Sequence, residues 1–263
     1  MQSYRSRVEG VPAARVMFDF ETLGVPERET RGVLALYDAA VAQSDENLGH
    51  LLRALKRRGR LARTVVVITA DHGEALGEGG LHFNHDSNLH EATARVPLVL
   101  RIPDADAGEV VTPTRSVDLL PTLAALAGIE APARVDGANL APLLEGQPLE
   151  LPVFAESRPG VVGRDAYSRY PLALPGVAGK IRMIRRGDHK LILTPATDGN
   201  RLQLYDLAND PAETTDLAAR RPELTRHLVW ELESWFSAYR EADTSALELD
   251  EADLESLRSL GYL

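Results

Sequence analysis

The chain has 263 residues, 44% of them hydrophobic, which suits one large domain or two modest ones with a packed core. A formal net charge of −10 argues against nucleic acid as the main partner, because counterion release needs clustered Lys and Arg; an anionic substrate stays open, since a bound cation can dominate the local field. The absence of cysteine excludes disulfides, thiolate-bound zinc and a thiol nucleophile from this chain, and no apolar run reaches membrane-spanning length.

The first stretch, to about Glu29, holds Pro12, Gly24 and Pro26 and reads as irregular. From Thr30, residues Val33, Leu34, Tyr37, Val41, Leu48, Leu51, Leu52 and Leu55 keep a helical spacing. Lys56, Arg57 and Arg58 suit the negative end of the helix dipole, and Gly59 is placed to end the helix. TVVVIT, ending at Thr69, predicts a buried strand that runs straight into a polar loop with Asp71, His72, Glu74, Glu78, His82 and His85. RVPLVLRIP, from Arg95 to Pro103, is a second β-rich run. SVDLLPTLAALAGI predicts a helix with Ser116 as N-cap and Gly128 as C-cap. Strands and helices alternating at these spacings predict a mostly parallel α/β sheet.

Gly146, Pro148 and Pro152 mark a boundary, dividing a larger unit, 1–146, from a smaller one, 147–263. Beyond it, KIRMIRRGDHKLIL reads as two short strands joined at RGDH, and LQLYDLANDP as a strand closing in a turn. RPELTRHLVWELESWF is an amphipathic helix carrying Leu224, Leu228, Leu232, Trp235 and Phe236. The second unit is thus a small antiparallel sheet with a covering helix.

In open parallel sheets, binding sites lie beyond the carboxyl ends of strands, and Asp71 and His72 stand at such a place. A carboxylate and a neutral imidazole side by side can reach one divalent cation. The bland alternative has Asp71 capping a helix begun by GEAL, with His72 a solvated loop residue. His82, His85 and His90 match no compact zinc signature, yet four of the seven histidines lie between His72 and His90.

Several segments, in order, resemble the second half of the sulfatase family, within the alkaline phosphatase superfamily. They are YDAAVAQSDENLGHLLRALKRRGRLARTVVVITADHGE, LHEATARVPLVLRIP, SVDLLPTLAALAGIEAP, VDGANLAPLLEG, GDHKLIL and LQLYDLANDPAETTDLAARRPEL; LESLRSLGYL is similar to a common ending of some members. The resemblance implies an alkaline-phosphatase-like mostly parallel sheet flanked by helices, with a small C-terminal antiparallel sheet and packed helix. It implies a metal-dependent hydrolase of sulfate monoesters, with Asp71 and His72 as two ligands of the cation. Many members have Asn where His72 stands and bind calcium; a histidine shifts the expectation toward manganese or zinc. His85 stands at the position of a Lys or His that contacts the sulfate or the leaving-group oxygen, and His82 is a nearby second candidate. Glu91 and Arg95 are expected to form a structural ion pair, and Lys190 to be structural.

The departures carry equal weight. The family's Cys- or Ser-x-Pro-x-Arg motif, whose first residue becomes formylglycine, has no counterpart: SRPGVVGR, from Ser157, lacks the spacing and lies in the wrong half. The paired aspartates that supply other metal ligands are absent too. The expectation is therefore a fragment, an alternative start or a truncated gene model, whose partial sheet exposes an edge and an apolar face. Any export signal would precede Met1, so the compartment is left open. The expected substrate is a small-molecule or carbohydrate sulfate ester, with no nucleic acid and no membrane span. Phosphodiester and phosphonate monoester hydrolases share the metal site and form a second reading. A non-catalytic interaction module is the third, although Asp71, His72 and His85 are all still in place.

Overall fold

The computed structural model describes residues 27–78, 82–85, 88–157 and 179–238, together with 251 and 255. Helix α1 (Glu27–Arg57) begins three residues before the predicted start and ends as its last turn requires. Lys56 and Arg57 face the negative end of the dipole, and Gly59 turns the chain at φ 64°, its N–H donating to the Lys56 carbonyl. After a 3-10 turn (Leu61–Arg63), β1 (Val66–Thr69) leads into the polar loop. That loop contains a short hairpin, β2 (Ala75–Leu76) and β3 (His82–Asn84), and a single-turn helix, α2 (Glu91–Ala94). Strand β4 (Leu98–Arg101) then returns beside β1.

The pairing of β1 with β4 is not one of the parallel pairs expected from the sequence. It is antiparallel, with Val66 opposite Arg101 and Thr69 opposite Leu98, and every strand pair among the described residues is antiparallel. Parallel neighbours need a long crossover, usually helical. Residues 70–97 instead hold a hairpin and one helical turn, and bring the chain back in the opposite direction. GEAL is not helical, since Ala75 and Leu76 form β2, so Asp71 caps no helix there.

The next helix is preceded by a 3-10 turn (Ser116–Asp118) and spans α3 (Leu119–Ala127). Its N-terminal device differs from the predicted Ser116 cap. The fully buried Asp118 carboxylate accepts from the Arg115 N–H at 3.0 Å, the Arg115 guanidinium at 2.6 Å and the Ala138 N–H at 2.8 Å. A Cβ on Gly137 would lie 1.9 Å from the Val117 carbonyl oxygen, so only glycine allows the 137–138 strand of chain this close. Gly128 ends α3 at φ 67°, as predicted, and α4 (Ala141–Leu144) follows.

Strands β5 (Val153–Glu156), β6 (Arg182–Arg186), β7 (His189–Thr194) and β8 (Arg201–Asp206) form one antiparallel sheet in chain order. The RGDH hairpin turns on Gly187, φ 58°. Helix α5 (Pro222–Ala238) covers one face, setting Leu228 and Leu232 against Ile184, Leu191, Leu193 and Leu204. The opposite face packs Met183, Ile192 and Tyr205 against Leu89 and Ala94, next to and within α2. The sheet is therefore covered on both sides, and its second cover belongs to the polar loop that follows β1. Most of SRPGVVGR and all but one residue of LESLRSLGYL lie outside the described residues.

Candidate metal and ester site

Asp71 and His72 emerge at the carboxyl end of β1, and both side chains are open to solvent. The His72 N–H donates to Asp71 Oδ1 at 3.0 Å. That amide and Asp71's own hold its carboxyl below the usual carboxylate range, outweighing the opposing effect of burial. His72 Nδ1 lies 2.8 Å from the Gly73 carbonyl, which can only accept, so Nδ1 carries the proton and the lone pair of the neutral ring sits on Nε2. Nε2 stands 3.7 Å from Asp71 Oδ2. Those two atoms are close enough that both would be available to one divalent cation.

Gly73 anchors this dipeptide. Its N–H donates to the Thr93 carbonyl at 2.8 Å, and a Cβ there would come within 2.2 Å of the Ala92 carbonyl oxygen. The loop thus rests directly on the backbone of α2, at a distance only glycine permits. His85 joins the group from the hairpin side. Its ring stacks on His72 with centroids 4.2 Å apart and planes 12° from parallel, and its Nδ1 lies 2.9 Å from Glu74 Oε2. A cleft of about 1320 Å³ runs past Asp71, His72 and His85, and also takes in Arg182, Trp235 and Phe236. Among the described residues, no cluster of three or more His, Cys, Asp or Glu side chains is arranged to hold a metal ion.

The other histidines separate. His82 lies on β3, in register with Leu76. His90 belongs to a different cluster, its Nδ1 3.3 Å from Glu213 Oε2. There Lys190, fully buried in β7, contacts Glu91 Oε1 and Glu213 Oε1, each at 2.9 Å, and Arg185 lies 3.5 Å from Glu91. The expected Glu91–Arg95 ion pair is therefore corrected: Glu91 turns to Lys190, while the Arg95 side chain is exposed. Burial opposes ionisation of Glu213, but the hydrogen bond from His90, the Lys190 charge and the Glu91 N–H hold its pKa below the ordinary glutamate value. Burial, together with Asp216, Glu213 and Asp210, pushes the neighbouring Tyr205 up to about 12. Sequence reading placed Glu74 in the polar loop without a role and missed Gly73, Thr93 and Glu213; of these three only the glycine of Asp-His-Gly left a local signal, a turn residue directly after two polar ones.

Comparison with known proteins adds the wider context. The sulfatase family profile matches residues 12–129, and the profile described as N-sulphoglucosamine sulphohydrolase, C-terminal, matches residues 77–238. A choline-sulfatase of Rhizobium meliloti is 34% identical over 238 residues, which are 85% of this chain and 43% of that protein. A protein solved in complex with its substrate D-glucosamine-2-N,6-O-disulfate superposes with a TM-score of 0.62 at 28% identity, covering 79% of this chain and 41% of that one. The phosphonate monoester hydrolase of Agrobacterium radiobacter gives 0.68 at 26% identity, over 88% and 46%. The chain spans less than half the length of each of these relatives. It shares their α/β architecture, although the parallel strands of the expectation are not among the described pairs.

Proposed function

The chain belongs to the sulfatase family, and from that premise we propose that it supplies part of the metal site and the C-terminal sheet of a hydrolase of sulfate monoesters. The observation that carries this reading is the pairing of Asp71 Oδ2 and His72 Nε2 at the end of β1, with the imidazole tautomer set by Gly73. Those two donors fit a divalent cation, and a nitrogen donor favours manganese or zinc over calcium. When bound, the cation polarises the ester oxygens as a Lewis acid. Asp71 and His72 would hold it, and the Gly73 carbonyl keeps the His72 proton on Nδ1. His85, oriented by Glu74 and by its stack on His72, is assigned the contact with a sulfate or leaving-group oxygen through Nε2. The chain has no Cys and no Ser-x-Pro-x-Arg, so this reading assigns the formylglycine nucleophile and the remaining ligands to residues outside it.

Sulfated carbohydrate is the substrate class favoured by the relative solved with a glucosamine disulfate. A phosphonate monoester is the second reading, favoured by the likeness to the Agrobacterium enzyme. Calorimetric titration with Mn²⁺ and Ca²⁺ tests the metal site. Binding of Mn²⁺ that is lost in His72→Ala supports it, and equal affinity in the two proteins overturns it. In the catalytically complete protein, comparing an aryl sulfate with a phosphonate monoester separates the two esters. Metal-dependent turnover of an aryl sulfate by this chain alone would refute the assignment of the nucleophile.

A further inference from the structure

We infer that Lys190, Glu91 and Glu213 form a buried clamp through which the C-terminal sheet positions the Asp71-His72 loop. Its value for the reaction rests on the proposed metal site, and its mechanical part does not. The path is continuous. Lys190 Nζ, from the second residue of β7, donates to Glu91 Oε1 at 2.9 Å and stands 2.9 Å from Glu213 Oε1. Glu213 Oε2 accepts the Glu91 N–H at 2.6 Å and faces His90 Nδ1. The first residue of α2 is therefore held by its side chain and its backbone together. Two residues on, the Thr93 carbonyl takes the Gly73 N–H, and Ala92 sets the close contact that admits only glycine. His72 is the next residue.

A role in stability alone is a poor explanation of this cluster. Two lysine–carboxylate contacts must offset the desolvation of a side chain at 0% exposure and of Glu213 at 3%, and apolar replacement of such a set is often neutral or stabilising. What apolar side chains cannot reproduce is direction. The carboxylates fix where α2 begins, with two charge-assisted contacts and one backbone hydrogen bond. The turn preceding α2 is stiffened as well, with Thr93 Oγ1 donating to Asn88 Oδ1 at 2.7 Å. Lys190, Glu91 and Glu213 touch neither Asp71 nor His72, so they act as positioning residues.

The test compares the whole chain with the triple variant Glu91→Leu/Lys190→Met/Glu213→Leu and with Glu213→Gln alone, which keeps the shape if the triple variant fails to fold. The readout is amide hydrogen exchange of Gly73, measured against the β6–β7 ladder at Ile184 and Leu191. The clamp predicts that Gly73 exchanges at least tenfold faster in the triple variant, and detectably faster in Glu213→Gln, while the ladder amides hold their rates. Mn²⁺ affinity falls in parallel. If Gly73 and the ladder change together, or Gly73 does not change, the cluster is only structural and the inference is overturned. If the unmodified chain binds no Mn²⁺, the metal assignment fails, and Gly73 exchange still decides the clamp.

Discussion

In the sheet β5–β8, Ile184, Leu191, Leu204 and the facing Leu228 are at 0% exposure, whereas among residues 27–146 Leu36, Val41, Leu51, Val99, Val111 and Ile129 stand open to solvent. Both regions are rich in aliphatic side chains. The difference is that the C-terminal sheet has a cover on each face, α5 on one and the segment around Leu89 and Ala94 on the other. Strand β4 has only β1 beside it among the described strands, and its side chains alternate between partial burial and exposure. A sheet face is stable in proportion to what lies on it. The Asp71-His72 loop hangs from the poorly covered region yet rests on α2, which is tied to the well-covered one.

The sharpest test of this contrast is Leu191→Ala. Truncating a fully buried side chain in the C-terminal core should cost about 3 kcal/mol in chemical denaturation. Leu100→Ala, on half-buried β4, should cost much less, and equal losses would break the comparison. Gly73→Ala comes next. Its Cβ would meet the Ala92 carbonyl, so a loss of about 1–3 kcal/mol is expected, with weakened Mn²⁺ binding in the same titration. Acid should loosen the junction between the regions. Glu213 has its folded pKa depressed below the ordinary 4.5, so its contribution is complete above that value and is lost as the pH falls through the folded one. The protection of the Gly73 amide, taken relative to the intrinsic exchange rate at each pH from about pH 6 to about pH 3, should therefore fall at the acid end; unchanged protection would detach Glu213 from the loop. His72→Ala should change stability by no more than about 0.5 kcal/mol, because the ring is exposed, while abolishing the Mn²⁺ signal. Val111→Ser, at 88% exposure, should be silent within about 0.5 kcal/mol.

Much of this was legible along the chain because it depends on local pattern. The α1 spacing, Gly59 and Gly128 as helix stops, the RGDH hairpin and the strand leading into Asp71-His72 all follow from neighbours a few residues apart. Strand direction was not legible, since VVIT and LVLR look the same run either way and only the connection decides it. The ion pairs show the same limit. Glu91 and Arg95, a pair expected from the family resemblance, stand four positions apart, but α2 is a single turn and Glu91 finds Lys190 ninety-nine positions away. Glu74 reaches His85 across a hairpin whose presence the Gly-rich loop did not announce. Thus both residues of each long-range pair were visible by type, and their pairing only in space.

Asp118 has a consequence for engineering. By gripping Arg115 and the Ala138 N–H at once, it ties the chain returning at Gly137 to the start of α3, while the N–H groups of Gly128 and Ile129 hold the departing chain to the Ala125 and Ala124 carbonyls. Between those ties the chain from Ile129 to Arg134 is largely exposed. Lengthening a loop whose ends are already pinned costs only about 0.6 kcal/mol per doubling. An epitope or fluorophore-bearing peptide grafted at its tip would therefore ride on the molecule without disturbing either the cleft or the C-terminal sheet.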